Sequence, residues 1–339
     1  MRTAWFAGMA AALDLAAGAA AQEPAAPAEP EIRIAETLDL GVDRTQRMTV
    51  PVNIAGQGPY SFIVDTGAER TVISRELADR LNLDPGRTAM VYSMTEASRI
   101  ETVVIPALEV GQRTISEIHA PALARRDLGA EGMLGVDTLR SQRVDLDFVR
   151  AEMTVTQSRR PPERPWPSDT ILITARSRYG HLLITDASFD GQRIVVIIDT
   201  GSQTTVANSA LRRRLERRGR LRAMRPIELL SVTGGRLDAE YGFAREVQLG
   251  GALIRNLPVA FADVPPFRQL GLADRPAILL GMDALRLFDR VSLDFANRRV
   301  RLEVRDSSSL HRDIRVAARG RPVPALAYPG VPSGRRAGP

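Results

Sequence analysis

The sequence predicts an all-β protein built from two homologous lobes related by pseudo-twofold symmetry, with short helices between strands. Three observations carry that expectation. Three blocks recur in the same order in the two halves of the chain. The apolar runs within each half are short and rich in β-branched residues. A Pro-rich polar stretch, residues 157–169, separates the two copies.

The first block reads MTVPVNIAGQGPYSFIVDTGAERTVIS in the first half and LLITDASFDGQRIVVIIDTGSQTTVAN in the second. Each is a strand, a turn containing Gly-Gln, a second strand and then Asp-Thr-Gly. Phe62–Val64 and Ile194–Ile198 are the apolar runs that enter the triplet. Just after it, Glu76–Leu83 and Ser209–Arg218 read as short helices. The second block is YSMTEASRIE against LSVTGGRLDA. Thr102–Val110 and Arg245–Leu249 follow as further strands. The third block is GMLGVDTLRSQRVDLDF against ILLGMDALRLFDRVSLDF. In it Asp137 and Asp283 are expected to cap short helical turns. Leu146–Phe148 and Leu293–Phe295 then close each unit as a strand entering a hairpin, with Asp147 and Asp294 as hairpin or cap residues. Asp65 and Asp199 are 134 residues apart, Gly135 and Gly281 are 146 apart, and Phe148 and Phe295 are 147 apart. One unit has been duplicated, with small insertions in the second copy.

The rest of the 339 residues frames these two units. Residues 1–21 have the form of a signal peptide: Arg2, a mostly small and apolar run, and Ala19-Ala20-Ala21 before Gln22. Asp14 is the one residue out of pattern there. The leader predicts a periplasmic or secreted protein. Residues 22–44 read as a linker or pro-segment, 45–156 as the first lobe, 157–169 as the Pro-rich linker, 170–305 as the second lobe, and 306–339 as a disordered basic tail. No cysteine is present, which excludes disulfides, a thiol nucleophile and thiolate metal sites. The three histidines, His119, His181 and His311, are far apart in sequence, and neither HExxH nor GxSxG occurs. His119 reads as a surface or strand residue. His181 falls at a strand start with no partner visible in sequence.

The formal charge of +6 invites a nucleic-acid reading, but its placement argues against one. From Arg305 onward there are seven Arg and two Asp, so the tail holds most of the excess. The run Arg212–Arg225 contains eight Arg and one Glu. A solvated helix face is the plain reading, and electrostatic contact with an acidic partner or an anionic membrane surface is the functional one. Few aromatics lie nearby for base stacking, so no nucleic-acid partner is expected.

The chemistry points to the two Asp-Thr-Gly triplets. Alone, either would read as a turn, since Asp and Gly are common there. Two copies, each after an apolar strand and each at the same place in a repeat, are different, because pseudo-twofold symmetry can bring two such loops face to face. Two adjacent carboxyl groups cannot both ionise and so share one proton. The charged member can act as general base on a water, and the protonated member can donate to a carbonyl oxygen. Gly67 and Gly201 allow close approach of the backbone. Thr66 and Thr200 are expected to hydrogen-bond across the lobes beneath the pair.

FIVDTGA and VIIDTGS, each followed by LGVDTL or LGMDAL and then VDLDF or VSLDF, resemble the retropepsin-like aspartyl proteases of bacteria and, more distantly, the pepsin superfamily. The similarity covers most of residues 45–305. It implies two closed β lobes, with Gly135 and Gly281 beneath the catalytic loops, and Asp65 and Asp199 as the catalytic pair of an aspartic endopeptidase. It also implies flaps for substrate binding around Thr95 and around Thr233 and Gly234. The first flap departs from the second, since Glu96-Ala97 stands where the other has Gly234-Gly235. The resemblance further implies a peptide or protein substrate, no metal, no organic cofactor, and a monomer, because one chain carries both lobes. A catalytically silent peptide-binding or adaptor protein using the same cleft is the alternative.

Overall fold

The computed structural model describes residues 31–33, 48–92, 97–159, 170–221, 223–231 and 235–304. The expected leader, most of the linker from 157 to 169 and the expected tail lie outside the described residues.

The first half closes into a barrel of six strands: Thr49–Ile54, Gln57–Val64, Gly132–Leu134, Val72–Ser74, Arg113–Leu123 and Thr102–Val110. Alternation explains why this sheet curls around one core. Along Thr49–Ile54 the burial runs exposed, buried, exposed, buried, intermediate, buried, so Val50, Val52 and Ile54 all point inward. Two of the contacts are parallel, Phe62–Val64 with Gly132–Leu134 and Ile73–Ser74 with Ala122–Leu123. The second half places ten of its strands in an eleven-stranded sheet, to which Glu31–Arg33 adds the eleventh. Its centre repeats the same pairing, with Val195–Ile198 parallel to Ala277–Leu280. These two strands are buried along their whole length, which accounts for their unbroken apolar runs.

A third sheet of five strands ties the halves together. The hairpin Gln142–Asp147/Glu152–Gln157 comes from the first half, and Arg290–Asp294/Arg299–Glu303 with Thr170–Thr174 from the second. The antiparallel register across the junction pairs Asp145 with Ser292, flanked by Val144 with Leu293 and Leu146 with Val291. Residues 145 and 292 are themselves 147 apart, the repeat interval of this block. The pseudo-twofold axis therefore runs through that pair. Leu146 and Leu293 are buried, and the core that contains them extends into both halves.

The expected helices form at Arg75–Arg80 and Ser209–Arg217. Ser74 and Asn208 cap them, accepting from the Leu77 and Leu211 N–H groups at 3.2 and 2.9 Å. The second helix buries Ala210, Leu211 and Leu215 and turns Arg213, Arg214 and Arg217 to solvent. Arg212 is held by Glu216 at 2.9 Å and by Glu240.

Three sequence expectations change. Within 22–44, residues Glu31–Arg33 form a strand parallel to Leu253–Arg255, because the edge of the strand Ala252–Phe261 offers unpaired backbone groups there. The linker begins later than 157: Gln157 pairs with Gln142, and the Ser158 hydroxyl donates to Asp294. Asp137 and Asp283 stand inside the turns Val136–Leu139 and Met282–Leu285, whose N-cap residues are Gly135 and Gly281, and each accepts one N–H of its own turn, from Thr138 at 2.9 Å and from Ala284 at 2.7 Å. Both carboxylates also bind a threonine outside the turn, as described below.

Truncating the shared core tests whether the halves depend on each other. Leu293→Ala is expected to cost about 2–5 kcal/mol, read as a lower urea midpoint by circular dichroism with an unchanged slope.

Candidate active site

Each aspartate of the repeated triplet stands one residue beyond a buried strand, after Val64 and after Ile198. The Asp65 N–H donates to the Leu134 carbonyl at 2.9 Å and the Asp199 N–H to Leu280 at 3.0 Å. The two loops are thus fixed at the same place, against the strand that runs parallel to their own. Directly after those strands come Gly135 and Gly281. A Cβ on Gly281 would lie 2.7 Å from the Thr204 carbonyl carbon, and one on Gly135 would press still closer on Arg70. Backbone cannot yield as a side-chain tip can, so both positions must be glycine.

Beneath each loop a threonine and an aspartate lock the turn. Thr71 Oγ1 accepts from the Gly135 N–H at 3.1 Å and donates to Asp137 Oδ1 at 2.8 Å. Thr205 Oγ1 accepts from the Gly281 N–H at 3.1 Å and donates to Asp283 Oδ1 at 2.6 Å. The Thr71 and Thr205 N–H groups donate to the same two carboxylates. This is where the carboxylates expected as helix caps are spent. Thr71 and Thr205 lie six residues past Asp65 and Asp199 in both copies, a repeated position from which the sequence could have identified them.

Asp65 and Asp199 come together. A Cβ on Gly67 would lie 2.6 Å from Asp199 Cγ, and one on Gly201 would overlap the Asp65 carboxyl. Each glycine therefore makes room for the opposite carboxylate. The Gly67 and Ala68 N–H groups donate to Asp65 Oδ1 at 2.8 and 3.0 Å. Gly201 and Ser202 do the same for Asp199 Oδ1 at 3.0 and 3.2 Å. One oxygen of each carboxyl is thus anchored by its own loop.

The threonines cross between the loops. Thr66 Oγ1 donates to the Ile198 carbonyl at 2.7 Å and accepts from the Thr200 N–H at 3.1 Å. Thr200 Oγ1 donates to the Val64 carbonyl at 2.6 Å and accepts from the Thr66 N–H at 3.1 Å. Both residues are buried, so these four bonds satisfy backbone groups that water does not reach. His181, also buried, adds a fifth contact: its Nδ1 lies 2.9 Å from the Thr66 carbonyl oxygen. Sequence gave no signal for it, because its partner is 115 residues away.

The pair is buried, with Asp65 8% and Asp199 6% exposed. Burial, and next the charge of Asp65, push the Asp199 carboxyl well above the usual carboxylate range, against the pull of the Ser202 and Gly201 N–H groups. Burial also raises Asp283, to about 6, although three donors from Thr205 and Ala284 oppose it. Thr95, Thr233 and Gly234, expected at the flap tips, lie outside the described residues. The ribbons that lead to them are present as Ala89–Tyr92 with Ala97–Ile100, and Arg225–Leu230 with Arg236–Leu249. Among the described residues no group of His, Asp and Glu side chains is arranged to hold a metal ion.

Comparison with known proteins bears on both halves. A family model described as aspartyl protease matches residues 50–138 and again 185–284, so each match contains one of the two loops. Among solved structures, a retropepsin-like aspartic protease from Rickettsia conorii is similar at 22% identity, over 40% of this chain and 90% of that one, with a TM-score of 0.27. No curated protein matches the chain.

Two outcomes test the site as a physical object. Thr200→Val keeps shape but strands the Val64 carbonyl and the Thr66 N–H. It is expected to cost about 2–5 kcal/mol in urea unfolding, whereas Thr200→Ser, which keeps the oxygen, loses about 1 kcal/mol. The raised Asp283 stabilises the fold fully below the ordinary carboxylate range, and that contribution is lost as pH rises through about 6. About 3 kcal/mol is at stake, and Asp283→Asn is expected to flatten the fall in stability between about pH 4 and about pH 7.

Proposed function

The chain belongs to the aspartyl protease family, and on that premise we propose that it is an endopeptidase whose catalytic pair is Asp65 and Asp199. The observation that carries this reading is the mutual arrangement of the two carboxyl groups. Each is anchored through one oxygen, each lies against the glycine of the other's loop, and burial together with the neighbouring carboxylate raises Asp199, which favours one proton shared by the pair.

Hydrolysis follows from that asymmetry of charge. A water between the carboxyl groups gives its proton to the ionised aspartate and attacks the peptide carbonyl carbon. The protonated aspartate donates to the carbonyl oxygen as it becomes a hydroxyl. The tetrahedral diol collapses as the amide nitrogen takes a proton from one aspartate and leaves as an amine, while a diol hydroxyl gives its proton to the other aspartate, so the product is a carboxylic acid and the pair again holds one proton. No bond forms between enzyme and substrate. The anchoring N–H groups and the threonine bonds keep both carboxyls oriented, so little reorganisation is needed during the reaction. Peptide would lie in the cleft between the lobes, under the two ribbons. The chain would act as a monomer, since both aspartates come from one polypeptide. The leader-like first 21 residues extend the proposal to an exported enzyme.

The test is cleavage of an unfolded protein by the purified chain from about pH 3 to about pH 8. Asp65→Asn and Asp199→Asn are each expected to lose at least ~10²-fold in rate while keeping the fold. Activity should fall on the acid side as the ionised aspartate is protonated, and on the basic side as Asp199 loses its proton. Because Asp199 is raised, the basic limb should lie above the ordinary carboxylate range. Peptide binding without turnover by the folded wild type would instead support the silent, peptide-binding alternative.

A further inference from the structure

Perfect twofold symmetry would make Asp65 and Asp199 interchangeable, whereas hydrolysis needs one charged and one protonated. Among the described residues, one buried side chain beneath the pair breaks the symmetry. His181 opens the strand His181–Ile184 of the second lobe and is 3% exposed. Its Nδ1 faces the Thr66 carbonyl of the first lobe at 2.9 Å. A carbonyl oxygen can only accept, so Nδ1 carries the hydrogen and donates.

That carbonyl and the Gly67 N–H belong to the same peptide unit, and the Gly67 N–H donates to Asp65 Oδ1 at 2.8 Å. Imidazole, peptide and carboxylate therefore form one chain of donors. A donor on the carbonyl draws charge across the peptide and strengthens its N–H as a donor. A stronger bond to the ionised carboxylate favours the ionised form. At the second loop the matching Gly201 N–H is 3.0 Å from Asp199 Oδ1. Among the described residues no side chain donates to the Thr200 carbonyl, which is the counterpart of Thr66's.

We propose that His181 is a positioning residue that polarises the Thr66–Gly67 peptide and thereby makes Asp65 the charged member of the pair, the general base, leaving the shared proton on Asp199. The inference rests on reading the pair as a proteolytic dyad. Among the described residues, the other charged groups around the site do not supply this asymmetry. Glu69 and Arg70, on the loop of Asp65, are exposed. Asp137 and Asp283 are matched beneath the two loops, each bound by its own threonine. Around His181, Arg178 sits opposite in the hairpin and contacts the Tyr179 ring, and Arg140 passes Gly180.

The test follows the Cγ chemical shifts of isotope-labelled aspartate in the full chain, assigned with Asp65→Asn and Asp199→Asn. Between the two proton-release steps of the wild type, Asp65 is expected at the carboxylate position and Asp199 at the carboxylic-acid position. The reverse would overturn the proposal. In His181→Leu, which keeps bulk without a donor, the first step should rise by ~0.5 pH unit and the charge should spread over both residues. His181→Asn, whose Nδ2 can stand where Nδ1 stood, should restore the wild-type titration. A folded Leu variant that titrates as wild type, or a folded Asn variant that behaves like Leu, would also overturn it. Should the Leu variant not fold, the wild-type assignment decides alone. None of these readouts requires turnover, so they are distinct from a failure of proteolysis, and in an active enzyme the acid limb of kcat/KM should move with the first step.

Discussion

Four hydrogen bonds made by Thr66 and Thr200 across the two loops, two with each other and one each to the Ile198 and Val64 carbonyls, are the constraint on which the rest of the molecule turns. Two carboxyl groups repel each other when ionised and lose hydration when buried, so nothing in their own chemistry would bring them together. The threonines do so by giving each loop's strand-end carbonyl and N–H a partner on the opposite loop. Breaking the arrangement would strand buried backbone groups, and the cost of that outweighs the tendency of the carboxyls to separate. The anchoring N–H groups and the glycines then set where each carboxyl points. The paired arrangement thus rests on backbone satisfaction as much as on the carboxyl side chains.

Symmetry makes this economical. A single solution, strand to triplet to glycine, with a threonine–aspartate lock beneath it, is used twice and joined by the five-stranded sheet whose register is centred on Asp145 and Ser292. Departures from symmetry carry chemical meaning for that reason. The first lobe closes as a barrel while the second spreads into a larger sheet, and its ribbon strand Arg236–Leu249 is much longer than Ala97–Ile100. The buried imidazole of His181 contacts the peptide unit whose N–H holds Asp65.

Much of this was legible in the sequence because repetition converts weak local signals into strong ones. Asp-Thr-Gly alone is a turn. Twice, after Phe62–Val64 and Val195–Ile198, it marks a paired site, and the intervening β-branched runs announce the fold. Asp137 and Asp283 read as caps because an aspartate at a helix start usually serves that helix, and each does accept one N–H of its own turn. Only the folded chain shows that Thr71 and Thr205, some 66 and 78 residues away, are their partners. His181 was opaque for the same reason, since its significance depends on one carbonyl across the lobe boundary. Boundaries at 31–33 and 157–158 shifted because sheet edges recruit whatever backbone lies near them.

The central claim is that Asp65 and Asp199 behave as one titrating unit. Potentiometric difference titration of the wild type against the Asp65→Asn/Asp199→Asn double variant counts the protons of the pair and places them. Two protons released in well-separated steps, the second well above the ordinary carboxylate range, are what the structure predicts. Two overlapping steps near the ordinary value of about 4 would mean that the carboxyls do not share a proton, and would contradict the account.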